Sequence, residues 1–294
     1  MTQVYYKKTS SITVVQTCLA VYNIPSSIFA SVSNALIILT LLRTKTLRTP
    51  TNIFTGSMCF TDFLVGAVVQ PLFITLNLSG TSNSHHCFLR SALSFSSVLC
   101  CGLSMLTLAL ISLDTYFAIC QPYRYQACNL QPLYQAIIVC VWICWTTFSV
   151  LPFVNVVTPD TFYMVVTILP VLTFVLITYC YLKIFCVVRS KIRNVVPLGR
   201  LSIAHNICSA RQRRKSKTIA FMILVFAACY IPIAIFTGIS SIWTLNWSIL
   251  HIVSPVLETG VYLNSLFNPM IYCFRMTGIR VSVCKLLRFP PKAL

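Results

Sequence analysis

Acids are scarce in this chain of 294 residues, and two of its four stand in places where an acid has no ordinary structural use. Asp62 lies in the middle of one apolar run and Glu258 lies in another. A charge inside an apolar span is expensive, so it points to a cation, a proton or a ligand. Asn34, Ser104, Asn264, Ser265 and Asn268 are polar residues at similar depth in other apolar runs. A carboxylate surrounded by hydroxyls and amides offers the oxygen ligands that a hard cation takes. The competing reading of Asp62 is a structural acid satisfied by its neighbours. Glu258 suits a cationic ligand such as an amine or basic peptide. Its alternative is an interfacial acid exposed to water or paired with Arg90. Metal-hydrolase chemistry needs clustered histidines and acids. His85, His86, His205 and His251 are scattered, so the sequence does not read as an enzyme.

The elements that must carry these residues follow from composition. Hydrophobic residues make up 57% of the chain and charged residues 9%, against about 25% charged in a soluble domain. That excludes an ordinary soluble enzyme. The net charge of +18 would suggest nucleic acid in a soluble protein. Here the basic residues fall in short runs between long uncharged stretches, which favours a membrane and no nucleic-acid partner. A span takes roughly 20 apolar residues in a helix, because every backbone hydrogen bond must be made internally. Charge-free blocks and their breakers place spans near 20–42, 50–77, 88–113, 132–153, 161–188, 216–240 and 248–273. The expected fold is therefore an all-α bundle of seven transmembrane helices. It forms one domain over 1–294: an extracellular N-terminus (1–19), the bundle (20–273), and an amphipathic helix with a short tail (274–294).

Basic residues collect on the cytoplasmic side of membrane proteins. An outside N-terminus puts 19 of the 22 Lys and Arg residues inside and leaves Lys7, Lys8 and Arg90 outside. Of the 15 cysteines, 13 fall within helices or on the inner side, where they pack as small apolar residues. Cys18 and Cys87 sit where oxidation can occur, either as a bridge or as two free thiols.

Ordered motifs then accumulate. Asn34 precedes Asp62 by 28 residues, within Phe60-Thr61-Asp62-Phe63-Leu64. Asp114-Thr115-Tyr116 leads to Gln121-Pro122, Trp142 and Pro152 are ten apart, Cys229-Tyr230-Ile231-Pro232 follows, and Asn264-Ser265-Leu266-Phe267-Asn268-Pro269-Met270-Ile271-Tyr272 closes the series. The chain thus resembles the rhodopsin-like (class A) G-protein-coupled receptors over nearly its whole length. The resemblance implies a plasma-membrane receptor for an extracellular small molecule or peptide that signals to a heterotrimeric G protein. It implies a sodium ion held by Asp62, Ser104, Asn264 and Asn268. It further implies switch residues Phe226, Tyr230, Pro232, Pro269 and Tyr272, and a ligand pocket of Ser97, Cys101, Tyr230, Ile233, Glu258 and Tyr262. Asp114, Thr115, Tyr116, Tyr123, Arg213 and Lys217 would face the G protein. Pro232 and Pro269 remove backbone donors and kink their helices, which lets an inner half-helix swing.

The chain departs from the family at several points. Thr115 stands where the family has an arginine, and Gln212 offers no acid to pair with one. An ion-pair lock cannot form as usual, so a non-signalling or atypically coupled receptor is an alternative; a transporter or channel is a distant one. Ser97 stands where amine receptors carry aspartate, which argues against an ordinary monoamine receptor. Leu47-Arg48-Thr49-Pro50-Thr51-Asn52 and Val69-Gln70-Pro71-Leu72 look amine-like. The short, cysteine-free second outer loop looks like the melanocortin, cannabinoid and lysophospholipid group, and the subfamily stays open. In the fifth span Pro170 and Tyr181 are 11 apart where the family has eight, so either the proline is displaced or Tyr179 takes the tyrosine's role. The basic run Arg211–Lys217 is an anchor for anionic inner-leaflet lipid. Met276, Ile279, Val283, Leu286 and Leu287 share one face of a terminal amphipathic helix, with Cys284 on its edge for palmitoylation. Asn77 and Asn246 begin glycosylation sequons.

Overall fold

A computed structural model describes residues 2–47, 49–79, 85–127, 130–193, 221, 224–240, 243, 246–275 and 277–287. Among them the structure is helical, with no strand. The major helices, in chain order, are α1 (Thr2–Arg43), α2 (Pro50–Leu78, in three segments), α3 (His85–Cys120), α4 (Leu130–Val150), α5 (Pro159–Arg193), α6 (Leu224–Ser240), α7 (Trp247–Arg275) and α8 (Thr277–Leu286). The first five contain windows long and apolar enough to cross a membrane. The apolar α6 and the 29-residue α7 complete seven. Helix α1 runs 42 residues, about 63 Å at 1.5 Å per residue, and so exceeds a hydrocarbon core of about 30 Å. Its helix begins well before the apolar window that marks the span.

Local sequence explains the breaks. Helix α2 opens with Pro50 at its first turn, after an extended Thr49, the position where a missing N–H is harmless. Its middle segment, Val65–Val69, is π-helical, and the α-helix resumes at Gln70. Gly66 permits this segment to lie against α1. A Cβ there would meet the Ser27 carbonyl and the Ser31 backbone at 2.8 Å. Helix α4 tightens into a 3-10 turn at Leu151–Val154, closed by Asn155 in the left-handed region at φ 54°.

Helix α3 is central and packs against α2, α4 and α5, while α1 packs on α2 and α7. The main core joins Met58 on α2, Leu108 and Ile111 on α3, Ile177 on α5, Phe226 and Tyr230 on α6, and Tyr272 on α7. Tyr181 of α5 packs against this core, whereas Tyr179 is exposed with Lys183 over its ring. The tyrosine facing the bundle is therefore the one 11 residues beyond Pro170, and the proline is the displaced member. Helix α8 docks on α1 and α7 and buries Ile279 and Val283.

The Cys18–Cys87 bridge does not form: both thiols are free and exposed. Helix α2, which contacts both α1 and α3, stands between the helices that carry them.

Candidate functional site

Asp62 is the hub of the bundle. It is fully buried on α2 and draws donors from two other helices. The Ser265 hydroxyl donates to Oδ1 at 2.8 Å, the Asn268 amide to Oδ2 at 2.7 Å, and the Ser104 hydroxyl to Oδ1 at 3.4 Å. Asn34 on α1 ties in behind, donating to the Ser265 carbonyl at 3.0 Å, while its Oδ1 is buried without a partner. Asn264, expected in the set, is buried but does not join it, and its neighbour Ser265 holds the carboxylate instead. Three donors from two helices, Ser104, Ser265 and Asn268, thus meet at one carboxylate, with Asn34 of α1 tied in behind them.

Towards the Glu258 end of the bundle, Ser97 Oγ and Tyr262 Oη lie 3.1 Å apart, joining α3 to α7. Below them Phe226 and Tyr230 stack with centroids 4.1 Å apart and an interplanar angle of 13°. The Tyr230 hydroxyl reaches the Cys101 carbonyl at 3.5 Å, and Ile233 packs against the same core. Glu258 accepts from the Ser254 hydroxyl one turn away at 2.9 Å. Of the two alternatives for Glu258, an ion pair with Arg90 does not form among the described residues. Pro269 is buried in α7, and Pro232 lies on an exposed face of α6.

A second buried network escaped the sequence reading. Gln70, fully buried, donates to Asn23 Oδ1 and Ser26 Oγ, both at 3.0 Å, and Asn23 donates to Thr259 Oγ1 at 3.1 Å. These side chains fasten α1, α2 and α7 near Glu258. The signal was present: amides and hydroxyls at helical spacing inside apolar runs.

At the opposite end Asp114 accepts from two tyrosine hydroxyls, Tyr125 at 2.9 Å and Tyr134. Tyr125 belongs to a short helix, Pro122–Ala127, and its hydroxyl also lies 3.4 Å from Thr51. Burial pushes the Tyr125 phenol above its ordinary pKa, so it stays a proton donor to the acid. Thr115 is turned onto its own helix, donating to the Ile111 carbonyl at 2.8 Å. The tyrosines that occupy Asp114 were not foreseen; both lie at sequence distances where only the folded chain brings them near. Tyr123, on the same short helix, is 90% exposed, and Tyr116 stacks edge-on with Phe117. Tyr272 is buried and donates to Met58 Sδ at 3.1 Å. Cys284 is half-buried on α8. Asn77 is back-bonded to the Phe73 carbonyl at 2.8 Å, and Asn246 is exposed just before α7. Arg213 and Lys217 lie outside the described residues.

Apolar helices, three of which (α2, α3 and α7) meet at one buried acid, with α8 docked on α1 and α7, fit a multi-pass membrane protein. Residues 33–272 match the profile of the 7 transmembrane receptor (rhodopsin family), and the chain belongs to that family. It is 27% identical to human (Homo sapiens) trace amine-associated receptor 1 over 279 residues, covering 83% of this chain and 79% of that receptor. It is 25% identical to human 5-hydroxytryptamine receptor 1B over 327 residues, covering 88% of this chain and 83% of the receptor. The similarity to receptors with amine names agrees with the amine-like segments around Pro50 and Pro71, and Ser97 departs from that pattern.

Proposed function

We propose that this chain is a plasma-membrane receptor, N-terminus outside, that binds an extracellular cationic small molecule and signals to a heterotrimeric G protein. The observation that carries the reading is the Ser97–Tyr262 contact above the stacked Phe226 and Tyr230. A ligand inserted between α3 and α7 would press on α6 directly, and α6 carries Pro232, which removes a backbone donor from the helix. The ligand would favour a state with the inner end of α6 displaced, and G protein would tighten ligand binding in return. Glu258 supplies the negative charge that Ser97 lacks, so the cation is held from α7 rather than α3. The relatives' names, trace amine and 5-hydroxytryptamine, support an amine as that cation.

The oxygen-rich shell of Asp62, with the unpartnered Asn34 Oδ1 beside it, fits a sodium ion. Asp62, Ser104, Ser265 and Asn268 would hold it. The ion supplies the counter-charge that a fully buried carboxylate needs, and among the described residues no basic side chain does so.

The test is an amine screen read by G-protein dissociation in membranes containing the full chain. Agonist affinity that is unchanged when G protein is added would refute coupling. A non-signalling receptor is the second reading, favoured by Thr115, whose hydroxyl is spent on its own helix. Basal nucleotide exchange on added G protein separates them: exchange by the natural chain supports coupling, and exchange from a Thr115→Arg variant alone favours the second reading.

A further inference from the structure

Between the turn Lys45–Leu47 and α8 lies an open cavity of about 510 Å³, apart from every site above. Thr44, Thr46, Thr277 and Ser282 line it with hydroxyls and Lys285 lines it with an ammonium, while aliphatic side chains complete the wall. Both walls are fixed. The turn is closed by the Leu47 amide on the Thr44 carbonyl at 3.0 Å and by the Asn52 amide on the Leu47 carbonyl at 2.6 Å. Helix α8 is pinned by Ile279, 1% exposed, and Val283. Gly278 permits the close approach of the two walls, since a Cβ there would lie 3.3 Å from Leu47.

The charge of this corner has no internal answer. Arg43 at the end of α1, Lys45 on the turn and Lys285 on α8 are exposed. The chain's four acids stand at 62, 114, 160 and 258, none of them on these elements. Hydroxyl donors beside uncompensated ammonium groups match phosphate oxygens, and the aliphatic share of the wall suits the stem of an amphiphile. We infer that this groove binds the phosphorylated headgroup of an inner-leaflet lipid, with Lys285 on its wall and Lys45, exposed at its rim between the lining Thr44 and Thr46, supplying the charge and the four hydroxyls orienting the phosphate. The inference rests on the N-outside topology proposed above but not on ligand binding or coupling, so a receptor that never activates a G protein would still hold the lipid.

The test uses the full chain in nanodiscs of phosphatidylcholine with and without a fluorescent phosphatidylinositol bisphosphate, reading lipid retention by energy transfer. Each lysine near an anionic surface is worth roughly 1 kcal/mol, so a Lys45→Gln/Lys285→Gln variant should retain the lipid about ten-fold less well or worse. Arg124→Gln, a charge removed at the same end but off the groove, should leave retention unchanged. Equal losses in both variants would reduce the effect to general charge attraction and overturn the site. Displacement of the lipid by soluble inositol trisphosphate at the lipid's own concentration would overturn the membrane source. Unchanged thermal unfolding in the lysine variant confirms that the fold is intact, because both side chains are exposed.

Discussion

The Tyr134 hydroxyl donates to Asp114, and the same carboxylate oxygen receives Tyr125 from the neighbouring short helix. The acid beside Thr115, the residue that stands in place of the family's arginine, is here held by phenols from two other elements. Removing one donor leaves a buried acceptor underserved, at a cost of about 1–3 kcal/mol. Tyr134→Phe should therefore lower the thermal midpoint by several degrees. Tyr125→Phe should instead raise hydrogen exchange selectively over Pro122–Ala127, since that helix is anchored through it.

At Gly102 helix α3 lies directly against Trp145 of α4. A Cβ there would fall 2.2 Å from the Trp145 ring, whose indole N–H donates to the Val98 carbonyl at 3.0 Å. The ring cannot retreat without giving up that bond. Gly102→Ala should cost about 1–3 kcal/mol as an overpacked contact, visible as a lower thermal midpoint and reduced surface expression.

If sodium occupies the Asp62 shell, millimolar sodium should raise the thermal midpoint of the natural chain, and potassium should do so less. Asp62→Asn should abolish the difference between the two salts. Ser265→Ala should weaken the sodium effect more than Asn264→Ala, because Ser265 touches the carboxylate and Asn264 does not.

Glu258→Gln should weaken binding of a cationic agonist by about ten-fold or more, the value of one charge-assisted hydrogen bond. Ser97→Asp, which places an acid beside Tyr262, should recover amine affinity in the Glu258→Gln background. A radioligand saturation series on the four combinations checks both outcomes.

The sequence displayed the helices plainly, because apolar length and charge breaks are local properties. It also displayed Asp62, since a lone acid in an apolar run stands out. What it could not display were partners fixed by rotation about a helix axis. Asn264 and Ser265 are adjacent in the chain, yet they point 100° apart on an ideal helix, and only packing decides which one meets α2. Tyr125 and Tyr134 belong to different elements that converge on α3, a convergence with no linear signature. Gln70 was visible as part of an amine-like segment, but its burial depends on the π-helical turn just before it.

That turn carries one residue more than a regular helix of the same rise. Winding the same residues as a regular helix, with no bulge, would rotate everything beyond it by about 100°. Asp62 and its shell would remain in place, while Gln70 would swing away from Asn23 and Phe73 would leave Tyr262, with which it now packs at 5.4 Å. The lower and upper halves of α2 are thus separately set: the winding of one turn decides which side chains wall the space beside Glu258 and leaves the buried acid beneath it untouched.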